Sequence, residues 1–310
     1  MSLAFVFPGQ GAQTIGMGRD LAEAYPAAAA VFEEVDDALG EKLSALIWDG
    51  DQETLTLTQN AQPALMAMSM AVVRSLETEG VSLADGAYVA GHSLGEYSAL
   101  CAAGALSITD AARLLRLRGE AMQAAVPVGE GAMAAILGLD IEAVNVLAAD
   151  AAGEEVCDAA NDNDPAQVVI SGHKAAVERG AVLAKERGAK RALMLPVSAP
   201  FHSALMSPAA DVMSEALATT ATKDPIVPVV SNVRARPVSS AAEIVPLLVE
   251  QVTHSVRWRE SVQWMATEGG VTAFWEVGAG KALTGMIRRI AKEAETRAIS
   301  SPGDVVAAKG

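Results

Sequence analysis

The chain has 310 residues, 51% hydrophobic, 20% charged and 4% aromatic, a globular composition with ample apolar side chains for a sizeable core. That length fits one large domain, or one domain with a smaller one inserted. A net charge of -15 argues against nucleic acid as a partner, because phosphate binding needs a basic surface, and otherwise implies only colloidal solubility.

Two cysteines, Cys101 and Cys157, are too few for a disulfide framework and read as buried small hydrophobes in a reducing compartment. The N-terminus lacks the basic start and apolar length of a signal peptide. No apolar stretch approaches the roughly 18 residues of a membrane span. A cytoplasmic, soluble, monomeric protein with no membrane partner is expected.

Residues 3–7 (Leu-Ala-Phe-Val-Phe) form a short apolar run stopped by Pro8-Gly9, which predicts a buried strand. Helical periodicity then dominates to about residue 80. Residues 87–90 form a second such run closed by Gly91, with helices following at about 94–103 and 109–125. Runs at 226–231, 272–277 and 296–299 predict further strands, separated by helices near 241–252, 258–268 and 280–292. Short apolar strands alternating with helices imply a parallel sheet covered on both faces.

The middle of the chain differs. Strand 132–137, helix 141–152, strand 156–160, strand 168–171, helix 174–187 and strand 191–197 follow one another in β-α-β-β-α-β order, the ferredoxin-like pattern. A hairpin is predicted at Asn161–Pro165. The predicted fold class is α/β, a hydrolase-like parallel-sheet domain (1–127 and 198–310) with an inserted ferredoxin-like subdomain (128–197).

Gly91-His92-Ser93-Leu94-Gly95 places Gly-x-Ser-x-Gly directly after a strand and before a helix, the context of a nucleophile elbow. Glycine permits the sharp turn, which thrusts the Ser93 hydroxyl out at a helix N-terminus, where the Leu94 N–H faces a developing oxyanion. A structural Gly-Ser turn is the competing reading. Four histidines are available as base. His92 adjoins the serine and points away from it, His173 opens a helix, and His254 lies in a polar stretch. His202 follows Pro196-Val197-Ser198-Ala199-Pro200-Phe201, whose prolines fix the backbone as a positioned base requires, though chemistry alone leaves the choice open.

On the helix near 109–125, successive steps of about 100° put Arg113, Arg116 and Glu120 on one side. Arg118 instead falls in the apolar arc of Ala111, Leu114, Leu115, Leu117, Ala121 and Met122. A buried guanidinium is costly unless paired. Two readings stand: a core salt bridge, or a cation at the floor of a pocket for an anionic substrate, whose carboxylate its planar fork would match.

Phe7-Pro8-Gly9-Gln10-Gly11, Gly91 to Glu96, Arg116-Leu117-Arg118-Gly119, Gln167 to Gly172, Pro196 to Ser203 and Glu276 to Lys281 together resemble the malonyl-CoA:acyl-carrier-protein transacylases. The match runs from residue 5 to about 290 in the family's order. The resemblance implies the same two-part fold, with Ser93 as nucleophile and His202 as base. It implies that Gln10 supplies a second oxyanion N–H beside Leu94 and that Arg118 holds the malonyl carboxylate. It also implies that the Gln251 carbonyl orients the histidine, a neutral partner where a Ser-His-Asp triad has aspartate. Met122, Phe201, Asn161 and Asn163 resemble pocket lining, with packing or turn formation as the alternative.

The reaction so implied moves malonyl from malonyl-CoA to the phosphopantetheine thiol of an acyl carrier protein through a malonyl-serine, supplying fatty acid synthesis. It needs no metal and no cofactor beyond these substrates. A polyketide-pathway acyltransferase and an acyl-CoA thioesterase are the alternatives. Because carrier proteins are acidic, docking needs a local basic patch. Lys185, Arg187, Lys190 and Arg191, with Arg288, Arg289 and Lys292, are its candidates.

Overall fold

Ten strands fall into two sheets in the computed structural model, which describes residues 2–197 and 199–309. Met1, Gly310 and Ser198, the last within the Pro196–Ser203 motif and at the expected domain boundary, lie outside the described residues. In chain order the strands are β1 (Leu3–Phe7), β2 (Tyr88–Gly91), β3 (Gly131–Leu137), β4 (Cys157–Asp164) and β5 (Gln167–His173). There follow β6 (Arg191–Met194), β7 (Val229–Val230), β8 (Pro237–Val238), β9 (Ala273–Val277) and β10 (Glu295–Ile299).

The larger sheet has the order β10-β9-β1-β2-β7-β8, parallel throughout except for the β7–β8 pair. Every residue of β1 is buried, as a strand covered on both faces requires. Alternation divides them: Phe5, Phe7 and Val89 enter the main core, while Ala4, Val6 and Ala90 enter a second core with Trp258 and Phe274. Burying Phe5 or Phe7 contributes about 2–3 kcal/mol each.

Pairing of Phe7 with Gly91 ends β1 and β2 side by side, so the Pro8–Gly11 loop and the Ser93 turn leave the sheet together. Behind them, helix Ile108–Ala124 crosses helix Thr58–Thr78 so closely that a Cβ on Gly119 would stand 2.4 Å from the Gln59 Cα. That contact carries the neighbouring Arg118 beneath the strand ends.

The smaller sheet is antiparallel with order β4-β5-β3-β6, the ferredoxin-like arrangement. One face packs Ala134, Ile136, Val168 and Ile170 against helices Ile141–Ala152 and Lys174–Glu186. The opposite face gathers Met133, Ala135 and Val169 with Leu195, Val197 and Phe201.

Three elements depart from expectation. The hairpin is tighter than predicted, since β4 continues through Asn161–Asp164 and turns only at Pro165-Ala166. Three of these turn-forming side chains stay in the strand because each finds a partner, Asp162 with Arg259, Asn163 with His92 and Asp164 with Arg289, while Asn161 bridges Val256 through its backbone. The 226–231 run yields only β7, because Pro225 and Pro228 lack ladder donors. The strand expected to reach 197 stops at Met194 ahead of Pro196.

Candidate active site

Ser93 joins β2 to helix Leu94–Ala102 with φ 54 and ψ -112, a conformation costly for a residue with a Cβ. The flanking glycines are sterically required. A Cβ on Gly91 would stand 1.8 Å from the Gly95 carbonyl oxygen, and one on Gly95 would stand 2.3 Å from that of Phe7. Asn232, just past β7, braces the turn: its Oδ1 accepts the Ser93 N–H at 2.8 Å and its Nδ2 donates to the Gly91 carbonyl at 2.6 Å. Sequence reasoning missed Asn232, whose only signal was its place at the carboxyl end of a strand.

The Ser93 Oγ lies 2.7 Å from His202 Nε2, and His202 Nδ1 lies 2.9 Å from the Gln251 carbonyl oxygen. A carbonyl only accepts, so Nδ1 carries the proton and Nε2 is left to accept from the serine hydroxyl. His202 is buried, and its pKa is pushed down to about 3, first by burial and then by the Arg118 charge. The imidazole is therefore neutral, the form a base needs.

Arg118 is 1% exposed. Its Nη1 donates to Gln62 Oε1 at 2.6 Å, and its Nη2 to Gln251 Oε1 at 2.8 Å and Ser93 Oγ at 3.2 Å. Its Nε is buried without an acceptor among the described residues, and the guanidinium lies 5.6 Å from the Tyr97 ring centroid. Among the described residues no carboxylate forms a salt bridge with it, which removes the core-ion-pair reading. Burial lowers its pKa, opposed first by the neighbouring Tyr97 and then by Glu96. Glu96 does not touch the guanidinium; it accepts from Gln251 Nε2 at 2.7 Å and from the Asn232 N–H at 3.3 Å. A buried cation whose acceptors among the described residues are all neutral suits an incoming anion.

These groups open on a cavity of about 400 Å³. Gln10, Leu94, Met122, Asn161 and Phe201 line it, together with Ser93, Arg118 and His202. Leu94 opens its helix, so its N–H belongs to the first-turn donors without an intrahelical acceptor. Gln10 follows the end of β1, its side chain fixed by a 3.0 Å hydrogen bond from Thr58. Asn163 is not on the cavity wall; its Oδ1 accepts from His92 Nε2 at 2.8 Å. His92 thereby ties the serine turn to the smaller sheet.

The remaining histidines lie elsewhere. His173 Nδ1 accepts the Val156 N–H, and His254 is exposed beside the Glu250 carbonyl. Both cysteines are buried thiols. Among the described residues no group of three or more His, Cys, Asp or Glu could hold a metal, and no helix is long and apolar enough to cross a membrane. Of the basic candidates, Arg187 pairs with Asp150 at 2.5 Å and Arg289 with buried Asp164 at 2.7 Å, while Lys185, Lys190, Arg191, Arg288 and Lys292 are exposed without such pairs.

Residues 4–303 match the model of the acyl transferase domain family. The chain is 51% identical over 302 residues to the malonyl CoA-acyl carrier protein transacylase of Bacillus subtilis, covering 97% of this chain and 94% of that protein. The crystal structure of the acyl-carrier-protein S-malonyltransferase from Bartonella henselae superposes with a TM-score of 0.97 at 55% identity, covering 99% and 98% of the two chains. A malonyl-transacylase in complex with a type II polyketide acyl-carrier protein superposes with a TM-score of 0.96 at 44% identity, covering 99% of each chain.

Proposed function

The chain belongs to the acyl transferase domain family, and from that premise we propose that Ser93 and His202 carry malonyl from malonyl-CoA to the phosphopantetheine thiol of an acyl carrier protein. The observation that carries the reading is the short Ser93–His202 hydrogen bond beside a buried Arg118 whose Nη2 also reaches the Ser93 Oγ.

In the first half-reaction His202 Nε2 takes the Ser93 proton as Oγ attacks the thioester carbonyl. The oxyanion lies between the N–H groups of Leu94 and Gln10, and Arg118 holds the free carboxylate of the malonyl group. Collapse expels coenzyme A, whose sulfur takes the proton from imidazolium, and leaves malonyl-serine. In the second half-reaction the carrier thiol gives its proton to His202, attacks the ester and returns Ser93 to its hydroxyl form. Gln251 orients the imidazole through a neutral carbonyl, which stabilises imidazolium less than a carboxylate would. Met122, Phe201 and Asn161 shape the acyl site, and Asn163 acts on it through His92.

Only side chains, one thioester and one thiol substrate enter this cycle, so it calls for no cofactor or metal. The Arg118 guanidinium, whose Nη2 lies 3.2 Å from the Ser93 Oγ on the cavity wall, favours charged malonyl over the plain acyl groups of a thioesterase. Fatty acid synthesis is the pathway served; the polyketide alternative uses the same chemistry and differs only in the carrier. The proposed division is 1–127 with 198–310 around 128–197, in a cytoplasmic monomer. Intact-mass measurement after malonyl-CoA treatment tests the reading. A malonyl adduct should form and Ser93→Ala should abolish it; an adduct that survives Ser93→Ala would defeat the assignment.

A further inference from the structure

Ser93 and Glu96 occupy the N-cap and N3 positions of helix Leu94–Ala102, where serine and glutamate ordinarily form a reciprocal capping box. Neither bond of that box forms. Ser93 has no side-chain cap, and its N–H is taken by Asn232. Glu96, only 3% exposed, is turned inward, where an isolated carboxylate is costly.

Its main partner is Gln251, which touches every working part of the site. The Gln251 backbone carbonyl faces His202, its Oε1 faces Arg118 at 2.8 Å, and its Nε2 donates to the Ser93 carbonyl at 3.0 Å and to Glu96 at 2.7 Å. An amide has one accepting and one donating end and can be seated either way round. Only one seating serves Arg118, because the reverse would set an NH2 group against a guanidinium. An ionised carboxylate accepts only, so it holds the NH2 end on its own side.

We propose that Glu96 is a positioning residue for acyl selection: its carboxylate fixes the orientation of the Gln251 amide and so keeps Arg118 aimed at the acyl site. It also supplies a negative charge near an otherwise neutral-ligated guanidinium without bonding to it. The inference rests on the malonyl-transfer reading above.

Burial pushes the Glu96 carboxyl up to about 7, against the opposing pull of Gln251, Asn232 and Arg118. Arg118 faces it from helix Ile108–Ala124 and Tyr97 from its own helix. Protonation makes the carboxyl a donor and removes its share of the hold on the Gln251 amide, which is left seated by the Ser93 carbonyl and Arg118. Orientation is therefore enforced above neutrality and weakens as pH falls through about 7. His202, held down to about 3, does not titrate in that window.

The test compares wild type and Glu96→Gln in the rates at which malonyl-CoA, acetyl-CoA and diisopropyl fluorophosphate modify Ser93. The rates are read from about pH 5.5 to about 8.5, with melting temperature recorded alongside. In wild type the malonyl-over-acetyl ratio should drop about tenfold toward the acid end, as expected for losing one charge-assisted hydrogen bond. In Glu96→Gln the ratio should be low and flat, with malonylation reduced about tenfold more than the fluorophosphate reaction. A flat wild-type ratio, or a variant that keeps the wild-type ratio and profile, would overturn the role. Equal loss on all three reagents would make Glu96 merely structural. If the variant fails to fold, the wild-type profile decides. Wild type reacting with the fluorophosphate but forming no malonyl-serine would instead bring down the transfer reading.

Discussion

The floor of the cavity, at the ends of β1 and β2, holds a serine, a histidine, an arginine and a glutamine in mutual hydrogen bonds, whereas the roof, the inner face of the smaller sheet, offers Met133, Leu195, Val197 and Phe201. The floor buries charge and polarity that would be unaffordable singly, so each group there depends on its neighbours. The roof makes contacts worth fractions of a kcal/mol each, and its influence is one of shape. Truncations should accordingly act steeply and selectively on the floor and shallowly on the roof.

Arg118→Ala should give the largest contrast. Losing a guanidinium that holds the substrate carboxylate should lower malonyl transfer about a hundredfold, with acetyl transfer much less affected. Steady-state kcat/KM for the two acyl-CoA substrates checks this. Equal loss on both would mean that Arg118 serves only to organise Gln62 and Gln251. Arg118→Lys retains charge without the fork and should rescue little.

Phe201→Ala probes the roof. Phe201 lines the cavity next to His202 and packs with Met133 and Val169. Removing the ring makes room for an extra methyl, and a methyl in an apolar pocket is worth about 1–3 kcal/mol of discrimination. The methylmalonyl-to-malonyl ratio should rise about tenfold, read by mass spectrometry of a mixed-substrate reaction. A ratio that stays fixed would move branched-chain exclusion to the floor.

The same contrast separates what the sequence makes legible from what it hides. Apolar periodicity reaches the cores: helix Ile141–Ala152 has the predicted bounds, and the wheel that sets Arg118 among leucines places it in the interior. It reaches short and polar elements poorly. β7 and β8 have two residues each, too few for any period, and Asn232 sits between them. The polar end of β4 spells a turn and is a strand, because its partners come from residues 92, 259 and 289. Glu96 spells a helix cap, and its diversion to Gln251 depends on a residue 155 positions away. The role of the Gln251 carbonyl was implied by family resemblance alone, since any residue has a carbonyl.

The smallest expected effect lies outside both surfaces, where an acidic carrier meets an acidic protein. Two of the basic candidates are already committed. Arg289 neutralises Asp164, which is 1% exposed, so reversing its charge would leave a buried carboxylate facing another and mix stability with docking. Among the described residues Arg288 bonds only the Thr296 hydroxyl, and Arg191 stands exposed on the edge strand β6. Arg288→Glu and Arg191→Glu are thus the informative reversals. Each should raise KM for the carrier a few-fold without changing KM for malonyl-CoA, and the effect should fade as ionic strength rises. A variant that alters both constants equally, or one insensitive to salt, would place docking on another face.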